Sequence, residues 1–244
     1  MAIYAFTSAS GAPGVTTTAL GLALEWPQEV LLIDADPVGG SAILAGYFGG
    51  EYQHPGTLVE LWAAHRQGRL EAALRELPLR IGDHASLIPG PAGVAQAGGL
   101  GELWRALAPY LRALSRADVD ILIDLGRWGH QHLAVPLAQA ADEMLLVLRS
   151  DLVAVAAAAA AELPTDAPTR AVLVGPKRPY TAREVAAVVK RPISIQLPWS
   201  PAEAAALSHG KPASSKVSGL RRALRQSAEG LRWRGDGLEE AGDV

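Results

Sequence analysis

The sequence predicts an α/β fold, a doubly wound, mainly parallel β-sheet with flanking helices. Short, fully apolar runs at residues 30–33 and 144–148 are typical of strands that are buried on both faces of a parallel sheet. Segments rich in alanine and leucine, compatible with helices, separate such runs. With 49% hydrophobic and 19% charged residues among 244, the composition suffices for one large domain with a substantial core.

Three predicted strands end at one edge of this sheet. The first, at residues 3–7, is followed by a glycine-rich loop and by a helix predicted over 16–24. The second, at 30–33, leads into Asp34 and Asp36, and the run 120–124 also ends in an aspartate, Asp124. Because the carboxyl ends of parallel strands lie at the same edge, we expect the loop and the acids to share one ligand site.

Further elements complete the alternating pattern. Strands are predicted over 144–148, 169–175 and 193–197, with an alanine-rich helix after the first and another helix over 202–210. The glycines within 90–101 predict a flexible connection before a helix that begins near Glu102. An amphipathic helix over 218–234 closes the predicted single domain, residues 1–234. The remaining residues, 235–244, form an acidic segment predicted to be disordered.

The glycine-rich loop, residues 10–18, has the form of a phosphate-binding loop without its cation. Such a loop binds phosphate through backbone N–H groups at a helix N-terminus and through a lysine. Here the four lysines of the chain all lie at position 177 or later, so only the backbone contribution is retained. The alternative is a tight strand-to-helix turn that has this shape without the activity.

These motifs resemble the ParA/MinD family of deviant Walker ATPases, and the resemblance spans nearly the whole chain. The family loop reads Lys-Gly-Gly-x-Gly-Lys-Thr/Ser-Thr; Gly11, Gly14, Thr16 and Thr17 match it. Ser10 and Val15 replace the two lysines, and Ala12 also departs from the pattern.

The resemblance implies roles for individual residues. Asp36 would orient the attacking water, while Thr16 and Asp124 would hold Mg²⁺. Lys177 would lie where family members contact adenine. The nucleotide contacts implied in this way, for ATP, fall on Gly11, Gly14, Val15, Thr16, Thr17, Asp124 and Lys177.

Two arginines are candidates to replace the missing lysine. Arg127 follows Asp124 in a switch-like loop, and Arg149 follows the strand at 144–148. The alternative for both is a surface arginine in a salt bridge. The acids have an alternative too, because aspartates at strand ends often cap the next helix or loop.

His130 and His132 could face the same side of an extended segment, but we identify no third metal ligand and interpret them as loop histidines. In the last helix, Arg221, Arg222 and Arg225 form a local basic cluster that could contact DNA. The net charge of −3 gives no long-range attraction to nucleic acid, so we expect a protein partner and a homodimer to dominate.

The composition excludes some classes of site and of protein. The absence of cysteine excludes disulfides and cysteine-ligated metals, and is compatible with a cytoplasmic location. We expect neither a signal peptide nor a membrane-spanning segment. The leading hypothesis is a ParA/MinD-like positioning or scaffolding protein with a degenerate ATP site, at most a weak ATPase. It resembles the pilus-assembly and septum-site branches of the family; the alternatives are an active ATPase that partitions chromosomes or plasmids, or a related synthetase.

Overall fold

The sheet consists of eight strands within the residues that a computed structural model describes, 1–38, 41–52, 56–210 and 219–240. Each strand is short, and the central ones are buried except for Arg127 at the end of one of them. Their bounds are β1 Ile3–Ser8, β2 Val30–Asp34, β3 Leu79–Arg80, β4 Ala85–Ile88, β5 Asp120–Arg127, β6 Glu143–Arg149, β7 Thr169–Val174 and β8 Ile193–Leu197.

Helices connect most of these strands. They are α1 Val15–Leu24, α2 Ala42–Gly46, α3 Leu58–Arg66, α4 Leu70–Glu76, α5 Val94–Gly98, α6 Gly101–Arg116, α7 Val135–Gln139, α8 Leu152–Ala160, α9 Ala182–Val189, α10 Pro201–Ser208 and α11 Gly219–Glu240. None of the helices in the described ranges combines the length and apolar character needed to cross a bilayer.

The strand order is β3-β4-β2-β5-β1-β6-β7-β8, and only the β3–β4 pair is antiparallel. The chain therefore builds the sheet outward from β1 in both directions, as the predicted doubly wound class requires. In the register of the central strands, Asp34 and Phe6 lie on either side of Asp124. This register brings the ends of β2, β5 and β1 together, and with them the predicted acids and the loop after β1.

Alternation along β1 divides the core between the two faces of the sheet. Ile3 and Ala5 belong to the cluster beneath α3 and α6, whereas Tyr4 and Phe6 belong to the one beneath α1 and α11. The last helix contributes an apolar stripe to the second cluster, consisting of Leu220, Leu224, Ala228 and Leu231. Both layers hold the sheet edge at a fixed position, and so determine where the loops at the strand ends lie.

Residues 90–101 differ from the prediction of a flexible connection. They contain α5, and α6 begins at Gly101. The short helix forms because Ala97 and Leu100 are buried in the core and because the Gln96 side chain accepts a hydrogen bond from the Ala92 N–H at 2.7 Å. Small residues alone therefore did not make this segment irregular.

The C-terminal helix extends beyond the predicted boundary. Its helical backbone continues through Glu240, and therefore through residues 235–240 of the predicted disordered tail. Residues 241–244, the rest of that tail, lie outside the described residues, as does Ser218, the predicted start of the helix.

Candidate functional site

The loop between β1 and α1 has the backbone geometry of an anion site. Gly11 and Gly14 have positive φ angles of 59° and 103°, a conformation that residues with side chains rarely adopt. Gly14 is the N-cap of α1, no side chain caps this helix, and its first turn holds no acidic residue. Unpaired N–H groups at a helix N-terminus attract negative charge. The loop therefore retains the backbone part of phosphate recognition.

Two carboxylates lie side by side beneath this loop. Asp34 and Asp124 occupy paired positions on β2 and β5 and are 2% and 0% exposed. The Asp124 Oδ1 accepts a hydrogen bond from the Gly126 N–H at 2.9 Å. Within the described residues, Oδ2 of each aspartate is buried without a hydrogen-bond partner. Buried unpaired oxygens of this kind are candidates for a cation that completes the site.

The electrostatics of Asp34 and Asp124 also indicate a site for a cation. Burial, and secondarily the charge of Asp34, raises the pKa of Asp124 to about 8, although the Thr16 hydroxyl and the Gly126 N–H act in the opposite direction. Burial, followed by the charge of Asp36, raises the pKa of Asp34 to about 6. Burial therefore favours the protonated form of these carboxyl groups, and a bound cation would favour release of the proton.

Asp36 lies in the loop after β2, close to the end of β5. Its Oδ1 accepts a hydrogen bond from the Val38 N–H at 2.9 Å. Gly126 has a φ of +66°, and a Cβ atom there would lie 2.4 Å from the Asp36 Cγ. The Asp36 carboxylate thus lies against the backbone of Gly126 near the end of β5, and only glycine leaves room for it.

A pocket of about 740 Å³ opens above these groups. The glycine-rich loop forms one side, and the ends of β6, β7 and β8 form the other. Its lining includes Gly11, Ala12, Gly14, Val15, Thr16, Thr17, Asp36, Gly126, Arg127, His130, Arg149, Val174, Leu197, Pro198, Trp199 and Ser200. Asp124 is not part of the lining because it is completely buried below Thr16.

The two candidate cations differ in their contacts. Both Arg127 and Arg149 line the pocket. Arg149 is half-buried, and its Nη2 donates a hydrogen bond to the Ala12 carbonyl of the glycine-rich loop at 2.9 Å. Its guanidinium also lies over the ring of Trp199, 5.2 Å from the centroid. The Arg127 side chain is exposed.

Lys177 lies outside the pocket lining. It is exposed in the turn after β7, where its N–H donates a hydrogen bond to the Tyr180 carbonyl at 2.7 Å. Trp199, in the loop after β8, lines the pocket on this side instead. In the sequence, Pro198 and Pro201 flank this segment and indicate a turn, but they do not indicate a function for the indole of Trp199.

The histidine pair is close to the site but is not a metal centre by itself. The rings of His130 and His132 are 6.3 Å apart between centroids, and only His130 lines the pocket. Across the part of the chain that the structure describes, no group of three or more histidines, cysteines or acids could hold a metal ion.

The basic residues of α11 are largely engaged within the fold. Arg225 forms an ion pair with Glu25 at 2.8 Å, and Arg221 contacts the same carboxylate. The Glu25 side chain is only 8% exposed, while the two arginines are about half exposed. Two of the three arginines that were candidates for DNA contact therefore fix α11 against the end of α1.

Solved structures with a similar fold are ATPases of the ParA/MinD type. A ParA family ATPase from Chlorobium tepidum TLS has a TM-score of 0.74 at 21% identity, covering 94% of this chain and 98% of its own. The septum site-determining protein MinD from Pyrococcus horikoshii, complexed with Mg-ADP, has a TM-score of 0.73 at 20% identity, with 94% and 95% covered. A McdA variant from Cyanothece in complex with ATP has a TM-score of 0.68 at 19% identity, with 95% and 96% covered.

The similarity extends over nearly the whole chain, which confirms the predicted fold class and the structural resemblance to ParA/MinD ATPases. No protein-family model matches the chain, and no curated protein matches it. Because one fold serves many functions, likeness at such low identity establishes the architecture alone. The ligand and the activity have to be argued from the site.

Proposed function

We propose that the protein binds ATP with Mg²⁺ in the pocket above the glycine-rich loop and acts as a ParA/MinD-like positioning or scaffolding protein with slow turnover. The observation that carries this proposal is the position of the pocket. It lies where the glycine-rich loop, Asp36 and the end of β5 meet. In open α/β sheets, ligands bind at the carboxyl ends of the strands, where the strand order reverses.

The pocket suits a nucleotide in size and in the character of its two sides. A volume of about 740 Å³ is within the range of roughly 300–1,000 Å³ that is usual for small-molecule sites. The helix N-terminus offers backbone donors for phosphates. The opposite side is more apolar, with Val174, Leu197, Pro198 and Trp199, and is suited to a base.

Magnesium fits the residues only together with a nucleotide. Asp124 and Thr16 offer oxygen ligands, and the unpaired Oδ2 of Asp124 is an available acceptor. Mg²⁺ prefers oxygen and is usually held by one or two carboxylates, waters and substrate phosphates. When bound, it would neutralise phosphate charge. Asp124 and Thr16 would keep it at the floor of the pocket, below the glycine-rich loop.

Slow turnover follows from the two positions that lack a lysine. Each lost charge-assisted hydrogen bond is worth roughly 1.5–3 kcal/mol, so ATP binding would be weaker by about 10²- to 10⁴-fold if nothing compensates. Hydrolysis depends on charge stabilisation in the transition state and should suffer more. Val15 is 7% exposed and packs into the core beneath α1, so its side chain has an apolar structural role.

A second candidate function is an active ATPase that partitions chromosomes or plasmids. The position of Asp36 favours it, because a carboxylate that lines the pocket beside Gly126 could orient a water molecule. The two functions differ in rate. Enzymes typically turn over at about 1 s⁻¹ or faster, whereas the scaffolding proposal expects a much lower rate.

One experiment tests the site and separates the two functions. Ligand-observed NMR would measure ATP binding at millimolar concentrations with and without Mg²⁺, and phosphate release would give the turnover. We expect a dissociation constant near 1 mM, stronger binding with Mg²⁺, and little turnover. Thr16→Ala should reduce the Mg²⁺ dependence. Turnover of about 1 s⁻¹ would favour the partitioning ATPase, and no binding of any nucleotide would refute both proposals.

We also propose that the protein forms a homodimer, binds a protein partner and acts in the cytoplasm. The support for these proposals is the fold alone, which is shared with MinD and ParA-type proteins. DNA is a weaker candidate, because Arg221 and Arg225 are paired with Glu25. Sedimentation with and without Mg-ATP would measure the oligomeric state, and a dimer that forms only with the nucleotide is the expected result.

A further inference from the structure

We propose that Arg149 is the phosphate-binding cation of this pocket and that it provides, from β6, one of the two positive charges that the glycine-rich loop lacks. The ligand class is the phosphate chain of a nucleoside di- or triphosphate. This inference rests on the proposed nucleotide binding, and it assigns that binding to a residue outside the glycine-rich loop.

The position of Arg149 follows from the register of the sheet. β6 lies beside β1 in parallel, with Leu146 opposite Thr7. The residues that follow Leu146 therefore run alongside the chain that enters the glycine-rich loop, and Arg149 comes level with it. The contact between its Nη2 and the Ala12 carbonyl at 2.9 Å confirms that the side chain reaches the loop.

Trp199 holds the guanidinium in place. Arg149 lies over the indole ring at 5.2 Å, and Arg178 lies over the same ring at 5.3 Å. A cation over an aromatic face is attracted to it by a cation–π interaction, which arginine forms more often than lysine. The stacked side chain has fewer conformations to lose when it binds a ligand, which favours binding.

The remaining donors of Arg149 have no counterpart in the described part of the protein. Its Nε is buried without a hydrogen-bond partner. No carboxylate of the described residues forms an ion pair with it, whereas Arg225 and Arg232, for example, each have one. A guanidinium presents five N–H donors in a planar fork, and a phosphate accepts two of them side by side. An anion in the pocket would balance the charge of the Arg149 guanidinium.

Arg127 is the competing residue, and the structure favours Arg149 over it. Both side chains line the pocket, but Arg127 is exposed, and no ion pair or hydrogen bond of its side chain to the loop is among the contacts of the described residues. Arg149 is half-buried and is held on two sides, by Ala12 and by Trp199. A cation held in advance binds phosphate more strongly than one that has to be ordered from solvent.

Titration of the full-length protein with ATP, ADP and adenosine, followed by ligand-observed NMR, tests this assignment. Arg149→Ala should weaken ATP and ADP about 10- to 100-fold, the effect of one charge-assisted hydrogen bond or somewhat more, and leave adenosine unchanged. Arg149→Lys, which keeps the charge, should recover part of the loss. The matched control is Arg178→Ala, because Arg178 lies over the same indole but does not line the pocket; it should change ATP binding less than twofold.

The outcomes distinguish this inference from the proposed function. If the unmodified protein binds ATP and Arg149→Ala binds it equally well, Arg149 is not the cation, although the nucleotide site stands. If Arg149→Ala loses adenosine to the same extent as ATP, its role is structural and the inference fails. If the unmodified protein binds none of the three ligands, the proposed function fails as well. Arg149→Gln, which keeps a donor for Ala12, serves if thermal melts show that the alanine variant is unfolded.

Discussion

Replacing Asp124 with asparagine is expected to stabilise the protein at neutral pH when metal and nucleotide are absent. Burial raises the pKa of Asp124 to about 8, far above its ordinary value near 3.8. The folded protein therefore keeps a proton that the unfolded chain releases as the pH rises from about 4 to 8. The stabilisation from that proton is complete at low pH and is lost progressively through this range. Asparagine is neutral at every pH, so the variant does not undergo this loss.

The magnitude follows from the proton count. A difference of one bound proton changes the free energy of unfolding by about 1.4 kcal/mol per pH unit. Both ends of the interval from pH 5 to 7 lie between the unfolded and folded pKa values of Asp124. The advantage of the variant over the unmodified protein should therefore grow by about 2.7 kcal/mol across it. Asp34, whose pKa is raised to about 6, is present in both proteins. Its titration makes the free energy of unfolding of both depend on pH, up to about pH 6.

Urea denaturation at pH 5, 6 and 7 in the presence of EDTA would measure this growth. Asp83→Asn, the same substitution at an exposed position, is the matched control. A difference between Asp124→Asn and the unmodified protein that stays constant from pH 5 to 7 would show that Asp124 is already ionised in the folded state. The conclusion that burial raises the pKa of Asp124 far above its ordinary value would then be wrong.

Three further perturbations test individual contacts. Gly126→Ala should lower the free energy of unfolding by about 2 kcal/mol or more in urea melts, because φ is positive there and the new Cβ would displace Asp36; an unchanged value would contradict the close contact. Glu25→Ala should cost about 1 kcal/mol in the same assay by removing the carboxylate that Arg221 and Arg225 share, and a neutral result would mean that these two ion pairs are not formed in solution. Changing both arginines to alanine should lower the melting temperature without altering retention on DNA, and a loss of retention would restore the DNA hypothesis.

The central strands could be predicted because their signal is local. Residues 30–33 are fully apolar and lead directly into an acid, and the structure places β2 at Val30–Asp34. β4 is only four residues long and contains Ser86, so its place in the sheet depends on pairing with β2. A short strand whose position depends on pairing with a neighbouring strand shows little hydrophobic periodicity in the sequence. The same holds for β3, which is a two-residue pair on β4.

Some residues of the candidate site could be predicted from the sequence, and others could not. Gly11, Gly14 and Asp36 stand in motifs whose spacing is visible in the sequence, and the structure brings them to one pocket. The contact of Arg149 with Ala12 joins residues 137 positions apart. Nothing near Arg149 in the sequence distinguishes it from Arg127, so both were candidates until the folded positions were known. The pairing of Arg225 with Glu25, across 200 positions, could not be predicted for the same reason.

The proposed transfer of the cation from the loop to β6 would have a functional consequence. A lysine at position 15 would lie on the first turn of α1, whereas Arg149 is anchored to the Ala12 carbonyl and to the Trp199 ring. A cation fixed in this way can hold a ground-state phosphate. It is less able to follow the charge that moves toward the leaving oxygen during hydrolysis, and only interactions that strengthen in the transition state accelerate the reaction. Such a site favours a protein that is switched by nucleotide occupancy and reset mainly by dissociation, which millimolar affinity would make rapid.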